Sequence, residues 1–190
     1  MKIETGNQLQ GMATGGMFMA FFGGVWFFFA LLERGIVNWA NLTGVGAGVA
    51  LLLALALYLF KISKRWPKVE ENPAVRRSFM RVNAAQWLAG VALYFLLQRL
   101  HLEDYFLSGL TAIVGWHFFP LARLFRNPAN YATGALLVAW SVAGILYVPL
   151  EHLPSITGFG TGLILWQSAA TVLSVGVYTA HHAQLPRPAF

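Results

Sequence analysis

The side chain in this sequence with the clearest capacity for chemistry is His117, an imidazole inside a long apolar stretch. Imidazole titrates near neutral pH, and titratable groups inside hydrocarbon are costly and usually functional. Asn83 and Gln86 enter the preceding apolar segment and Gln167 lies in the last one. We expect these three amides and Trp116 to form one polar cluster with His117, which would bind a polar headgroup or exchange a proton.

Pro120, three residues after His117, supports a second interpretation of the same residues. Proline has no N–H and kinks a helix, which frees a backbone carbonyl in the preceding turn. His117 would then donate to that carbonyl, while the amides would simply join neighbouring helices. Both interpretations remain open at the level of the sequence.

No other set of residues has the composition of a catalytic or metal site. The chain has no cysteine, which excludes thiolate nucleophiles, Cys-ligated zinc and iron–sulfur clusters. His181 and His182 are adjacent, so on a helix they point about 100° apart and suit a solvated helix end better than a metal. Paired carboxylates or an activated nucleophile are also missing. We therefore predict no enzyme activity, no metal and no cofactor.

The positions of these residues depend on helices that cross a membrane. With 57% hydrophobic and 11% charged residues, the chain is too apolar for a soluble domain, so its solvent is expected to be lipid. A spanning helix needs about 20 apolar residues. Six runs approach that length, namely 12–32, 36–60, 84–100, 105–124, 131–150 and 156–179. The sequence predicts one all-α integral membrane domain of six transmembrane helices over residues 1–190.

The distribution of Lys and Arg predicts which helix ends face the cytoplasm, because cytoplasmic loops are enriched in basic residues. Most of the basic residues lie in the loop 61–81 or at Arg123 and Arg126, whereas the opposite loops hold Arg34 and Arg99. Both termini are therefore expected to face the cytoplasm. The membrane itself is expected to be the inner membrane of a bacterium. Since the net charge of +6 comes largely from these loops, we expect no nucleic-acid partner.

Two parts of the sequence resemble each other and predict an internal repeat. The tripeptide Ala-Thr-Gly opens helical runs at 13–15 and 132–134, and small-residue ladders follow at 42–48 and 156–162. A fainter third copy lies between them, where Leu102-Glu103 closes the third helical run and 107–109 opens the fourth. We predict three consecutive helical hairpins of parallel orientation.

Each ladder places two glycines four residues apart, Gly44 with Gly48 and Gly158 with Gly162. Residues at this spacing share a helix face, where small side chains let two helix backbones approach closely. A phosphate-binding loop would instead need a preceding strand. We expect both ladders to pack against other helices.

Charged residues mark both surfaces of the predicted membrane domain. Glu33, Glu103 and Glu151 recur once per hairpin on the outer side, where a ring of acids would concentrate cations, although acids opposite basic loops are also ordinary. On the inner side, four cations accompany Trp66 and are expected to bind anionic lipids at about 1 kcal/mol each. These cations are Lys61, Lys64, Arg65 and Lys68.

One segment resembles known sequences. The stretch Gly115–Phe125, followed by Pro128 and the run 131–134, is similar to a segment of small uncharacterised bacterial membrane proteins. The length and the six-span hairpin layout also resemble the HdeD type of bacterial inner-membrane protein, which is associated with acid resistance. This resemblance implies a stress response and assigns no functional residues.

Two functions remain. The first is binding or movement of a small or amphiphilic molecule at the polar cluster around His117. The alternative is a structural or accessory subunit whose small-residue faces contact a second copy or another membrane protein. A cavity beside His117 would favour the first, and a self-complementary apolar surface would favour the second.

Overall fold

The computed structural model describes residues 5–67 and 73–182, and these residues are helical almost throughout, with no β-strand among them. Six α-helices follow one another: α1 (Gly6–Glu33), α2 (Trp39–Ser63), α3 (Pro73–Leu100), α4 (Phe106–Leu124), α5 (Ala129–Tyr147) and α6 (Leu153–His182). Short 3-10 turns, Glu103–Tyr105 and Leu150–His152, precede α4 and α6. The all-α prediction is confirmed.

Five of the helices are long and apolar enough to cross a membrane, namely α1, α2, α4, α5 and α6. The helix α3 is less hydrophobic than the other five, because its apolar part also contains polar residues, namely Asn83, Gln86, Gln98 and Arg99. The architecture is therefore that of a membrane protein, and the sixth span stays a prediction.

The beginning of α3 differs from the sequence prediction. Residues 73–81 were expected to belong to the basic loop 61–81, but they form the first turns of α3, which begins at Pro73. Proline suits the first helical position because its missing N–H would have no intrahelical partner there. Lys68 lies outside the described residues.

The ends of the helices follow standard capping chemistry. Thr5 and Gln8 form a reciprocal capping box at the start of α1, and the side chain of Asn38 caps α2. Downstream of α1, Gly35 has φ +65°, a left-handed conformation in which glycine pays no steric penalty. This residue ends α1 and turns the chain toward α2.

The helices alternate in direction, and α6 lies at the centre of the bundle. It contacts α1, α2, α4 and α5, whereas α3 packs mainly on α4 at the periphery. The most extensive packing joins α1 with α6 and α4 with α5, which belong to different predicted hairpins. At one end, the amide of Gly6 donates to Pro67 and Tyr58 contacts His181; at the other end, Arg34 donates to Ser155.

Glycine allows the closest helix contacts. A Cβ built on Gly162 would lie 2.9 Å from the carbonyl oxygen of Gly23, so α1 and α6 touch through their backbones. Gly158 contacts α1 one turn earlier, and Gly48 lies under the indole of Trp166. The packing prediction holds for these three ladder glycines.

The prediction is wrong for Gly44, which has no neighbouring atom within 4 Å of a built Cβ. The same is true of Gly46, two residues later. The reason is position: α2 lies at the edge of the bundle and packs on α1 and α6, so its ladder makes contact at Gly48 and not at Gly44 or Gly46. In α6, which is surrounded by other helices, both Gly158 and Gly162 contact α1. The predicted hairpin repeat stays a prediction.

Buried hydroxyl groups join α4, α5 and α6. Ser108 on α4 contacts Thr157 on α6 at 2.9 Å between oxygens, and one turn further Thr111 contacts Thr161 at 2.9 Å. On α5, Ser141 donates to the carbonyl of Ser108 at 2.7 Å. Interhelical hydrogen bonds of this kind stabilise membrane bundles by about 0.6 kcal/mol each on average.

Candidate functional site

His117 lies on the side of α4 that faces α3. Its imidazole is next to the backbone of Val82, and its Nδ1 atom is buried without a hydrogen-bond partner among the described residues. Pro120 removes the N–H that would otherwise bond the carbonyl of Trp116. His117 Nδ1 does not donate to that freed carbonyl. The hydrogen bond that the second interpretation of the sequence expects is therefore not made by this nitrogen.

The three predicted amides divide between two places. Gln86 is half-buried and lies one turn after Val82 on the same face of α3, which faces α4, and Asn83 is half-buried on the flank of that face. Gln167 is exposed on α6. The recorded hydrogen bonds between α6 and α4 are made by Thr157 and Thr161, and no recorded contact among the described residues joins Gln167 to His117, so this part of the cluster stays a prediction.

A groove of about 780 Å³ runs along the outer side of α4, between α3 and the beginning of α5. It is lined by Ser78, Val82, Trp116, Phe119, Pro120, Arg123, Leu124 and Tyr131. Trp116, a member of the predicted cluster, is 71% exposed and lines the groove. His117, the next residue along α4, is not among the lining residues. The groove therefore lies beside His117, which is half-buried and whose Nδ1 atom is buried.

The polar groups of the groove lie toward one end. Ser78 is in the second turn of α3, Arg123 is in the last turn of α4 and Tyr131 is in the first turn of α5. At the level of these residues, the rings of Phe79 and Phe125 pack edge to face across α3 and α4, 5.7 Å apart. The remainder of the lining is apolar, so the groove has a polar end and an apolar remainder.

No family model, curated protein or solved structure matches this chain. The resemblance to HdeD-type proteins therefore stays a prediction.

The outer acids lie at the end of the bundle opposite Arg123. Glu33 ends α1, while Glu103 and Glu151 are in the two short 3-10 turns, and all three are exposed. In the part of the chain that the structure describes, they do not gather into a group of three side chains able to hold a metal ion. The cation-concentrating ring stays a prediction.

The basic segment after α2 folds back on α1. Lys61 is in the last turn of α2, with Lys64 and Arg65 immediately after it, and all three are exposed. Trp66 is only 5% exposed and packs near Gly6. This Trp was expected at the membrane surface, but it holds α1 to the end of α2.

Arg123, Tyr131 and Ser78 were not among the predicted site residues. A signal for part of the groove is present in the sequence, since Trp116, Pro120 and Arg123 have the i, i+4, i+7 spacing of one helix face. The contribution of α3 and α5 has no such signal, because it depends on how the helices pack.

Proposed function

We propose that this chain is a multi-pass protein of a bacterial inner membrane that binds or moves an amphiphilic molecule in the groove between α3, α4 and α5. The observation that carries the proposal is the groove itself, which is apolar along most of its length and contains a guanidinium at one end. An amphiphile has the same division, so it covers the apolar lining and keeps its polar group at Arg123.

The placement of charge supports an orientation with Arg123 in the cytoplasm. The exposed cations Lys61, Lys64, Arg65 and Arg126 lie in the last turn of α2 or in connections at the same end of the bundle as Arg123. Basic residues are retained on the cytoplasmic side, and the anionic inner leaflet attracts them. The groove then opens laterally toward the inner leaflet.

Photolabelling tests the proposal. The protein is reconstituted with a trace of phosphatidylcholine that carries a diazirine in its acyl chain, and labelled peptides are mapped by mass spectrometry. We expect labelling of residues 116–124 to exceed labelling near Leu51 and Leu57, which are 72% and 60% exposed on α2. A chain held in a groove dwells there longer than on an open helix face.

A filling variant provides the control for this experiment. Val82→Trp places a large ring in the groove and should suppress the labelling of residues 116–124. Val91→Trp adds the same ring to an exposed site of α3 outside the groove and should leave the labelling unchanged. Labelling that is uniform over all exposed helix faces, or insensitive to Val82→Trp, contradicts the proposal.

A second candidate function, an accessory subunit that associates through helix packing, is favoured by one observation. The exposed face of α2 carries Gly46, Ala50 and Ala54 at i, i+4, i+8 spacing, and nothing covers Gly46. Small residues at this spacing support close helix association in membranes. This candidate predicts a dimer by light scattering in detergent that Ala50→Leu converts to a monomer; a monomer that Ala50→Leu leaves unchanged rejects it.

A further inference from the structure

The charge around the groove is uncompensated among the described residues. The acids Glu33, Glu103, Asp104 and Glu151 all lie at the opposite end of the bundle, where α1, α3 and α5 finish. The ion pair recorded in the described part of the chain joins Glu151 to His152, at 3.3 Å. Arg123 thus has no carboxylate partner there, although it is the guanidinium of an otherwise apolar groove.

Other cations strengthen the field at this end. They are Arg76, Arg77 and Arg81 on α3 and Arg126 after α4, and all are exposed. A cluster of one sign raises the local concentration of counter-ions and favours an anionic occupant over a neutral one. The guanidinium is suited to phosphate because its planar fork donates two parallel hydrogen bonds.

The apolar lining determines what kind of anion fits. Val82, Phe119 and Leu124 line the groove together with Trp116, which lies seven residues before Arg123 on α4. Seven residues correspond to about 10 Å along the helix axis. A free anion would cover only Arg123 and leave this apolar length exposed, whereas an acyl chain would cover it.

We infer that the groove holds an anionic phospholipid, with its phosphate on Arg123 and one acyl chain along α4 toward Trp116. The inference rests on the proposed function and names the ligand class of the same groove. Ser78 and Tyr131 also line the groove, and a hydroxyl group of this kind can donate to phosphate or glycerol oxygens.

Lipid retention in native mass spectrometry tests the inference. The purified protein in detergent is titrated with dioleoyl phosphatidylglycerol and with dioleoyl phosphatidylcholine, which share their chains and differ in net charge. We expect preference for phosphatidylglycerol in the unmodified chain and a loss of that preference by about tenfold in Arg123→Gln. Arg123→Lys keeps the charge without the fork and should retain part of the preference.

Two further variants separate the head of the lipid from its chain. Arg77→Gln removes one of the exposed cations that contribute to this field without lining the groove, so the preference should fall by no more than about twofold. Trp116→Ala should weaken retention of both lipids equally, since it removes apolar lining and no charge. Arg123 and Trp116 are both exposed, so these variants are expected to fold, which size-exclusion chromatography verifies.

The outcomes distinguish this inference from the proposed function. Equal retention of both lipids, with photolabelling of residues 116–124 preserved, overturns the anionic class and leaves amphiphile binding intact. Displacement of phosphatidylglycerol by millimolar inorganic phosphate, without loss of photolabelling, indicates a free-anion site and also overturns it. Loss of lipid preference in Arg77→Gln as in Arg123→Gln shows a diffuse surface effect and rejects the groove as the site.

Discussion

Gly134→Ala is expected to destabilise the protein by about 2 kcal/mol, because α4 and α5 meet there through their backbones. A Cβ at Gly134 would lie 2.7 Å from the carbonyl oxygen of Gly115 and 3.2 Å from the Cβ of Phe118. None of these atoms can rotate away, so the helices must separate. Unfolding by SDS titration in mild detergent, followed by far-UV circular dichroism and intrinsic fluorescence, measures the loss.

Gly15→Ala is the matched control for this substitution. A Cβ at Gly15 on α1 meets no atom within 4 Å, so the variant should gain about 0.5–1 kcal/mol from the better helix propensity of alanine. The opposite signs at two helical glycines isolate the packing contribution. A Gly134→Ala protein as stable as Gly15→Ala would show that α4 and α5 are not in backbone contact.

The reciprocal glycine makes the test sharper. A Cβ at Gly115 would lie 2.9 Å from the carbonyl oxygen of Gly134. Once the first alanine has separated the helices, the second has less left to disrupt, so the double variant should lose less than the sum of the single losses. Because Phe119 and Tyr131 both line the groove and meet with ring centroids 6.2 Å apart, the separation should also widen the groove.

Much of the fold is predictable from the sequence, because each helix is a local consequence of an apolar run between polar connections. The limits of α4, 106–124 in the structure and 105–124 in the prediction, agree within a residue. The start of α3 was missed because Arg76, Arg77 and Arg81 read as a polar loop. A helix that extends beyond the apolar layer leaves no hydropathy signal, and only the proline at its first position marks its beginning.

The candidate site was less predictable, because a sequence indicates the depth of a residue in a helix but not the neighbour it faces. Gln167 was grouped with His117 because both are polar residues of apolar helices, which a bundle normally turns toward its interior, yet Gln167 is exposed on α6, about 100° around that helix from Ser168, which contacts Thr133 on α5. Arg123 was assigned to a loop and turns out to line the groove. The direction in which a side chain points around its helix depends on which helices are neighbours. The position of α6 at the centre results from its glycines and hydroxyl groups, which face α1, α4 and α5.

Trp166→Ala is expected to cost about 3–5 kcal/mol, the typical loss for removing a large aromatic side chain from a packed site. The indole of Trp166 covers both Gly23 on α1 and Gly48 on α2, and its Nε1 donates to the carbonyl of Ala20 at 2.9 Å. It also meets Phe27 edge to face, with centroids 4.6 Å apart. One side chain of α6 therefore holds two other helices, and SDS titration should register its loss.

Trp87→Ala is the control, since Trp87 is 67% exposed on α3 and its removal should change stability by no more than about 0.5 kcal/mol. The loss of stability in Trp166→Phe should lie between those of Trp166→Ala and Trp87→Ala, because phenylalanine keeps a ring over the glycines and loses the hydrogen bond to Ala20. Equal losses in Trp166→Ala and Trp87→Ala would mean that removing any Trp weakens the protein, whatever it covers.

A compensating substitution shows whether the space over Gly48 belongs to Trp166. A Cβ at Gly48 would overlap the indole, so Gly48→Ala alone should be destabilising. In the Trp166→Ala protein the obstruction is gone, and the same substitution should become neutral or stabilising through helix propensity and partial filling of the void. This change of sign requires direct contact between α2 and α6, because independent sites would give additive effects. Additive losses would therefore contradict the central position of α6.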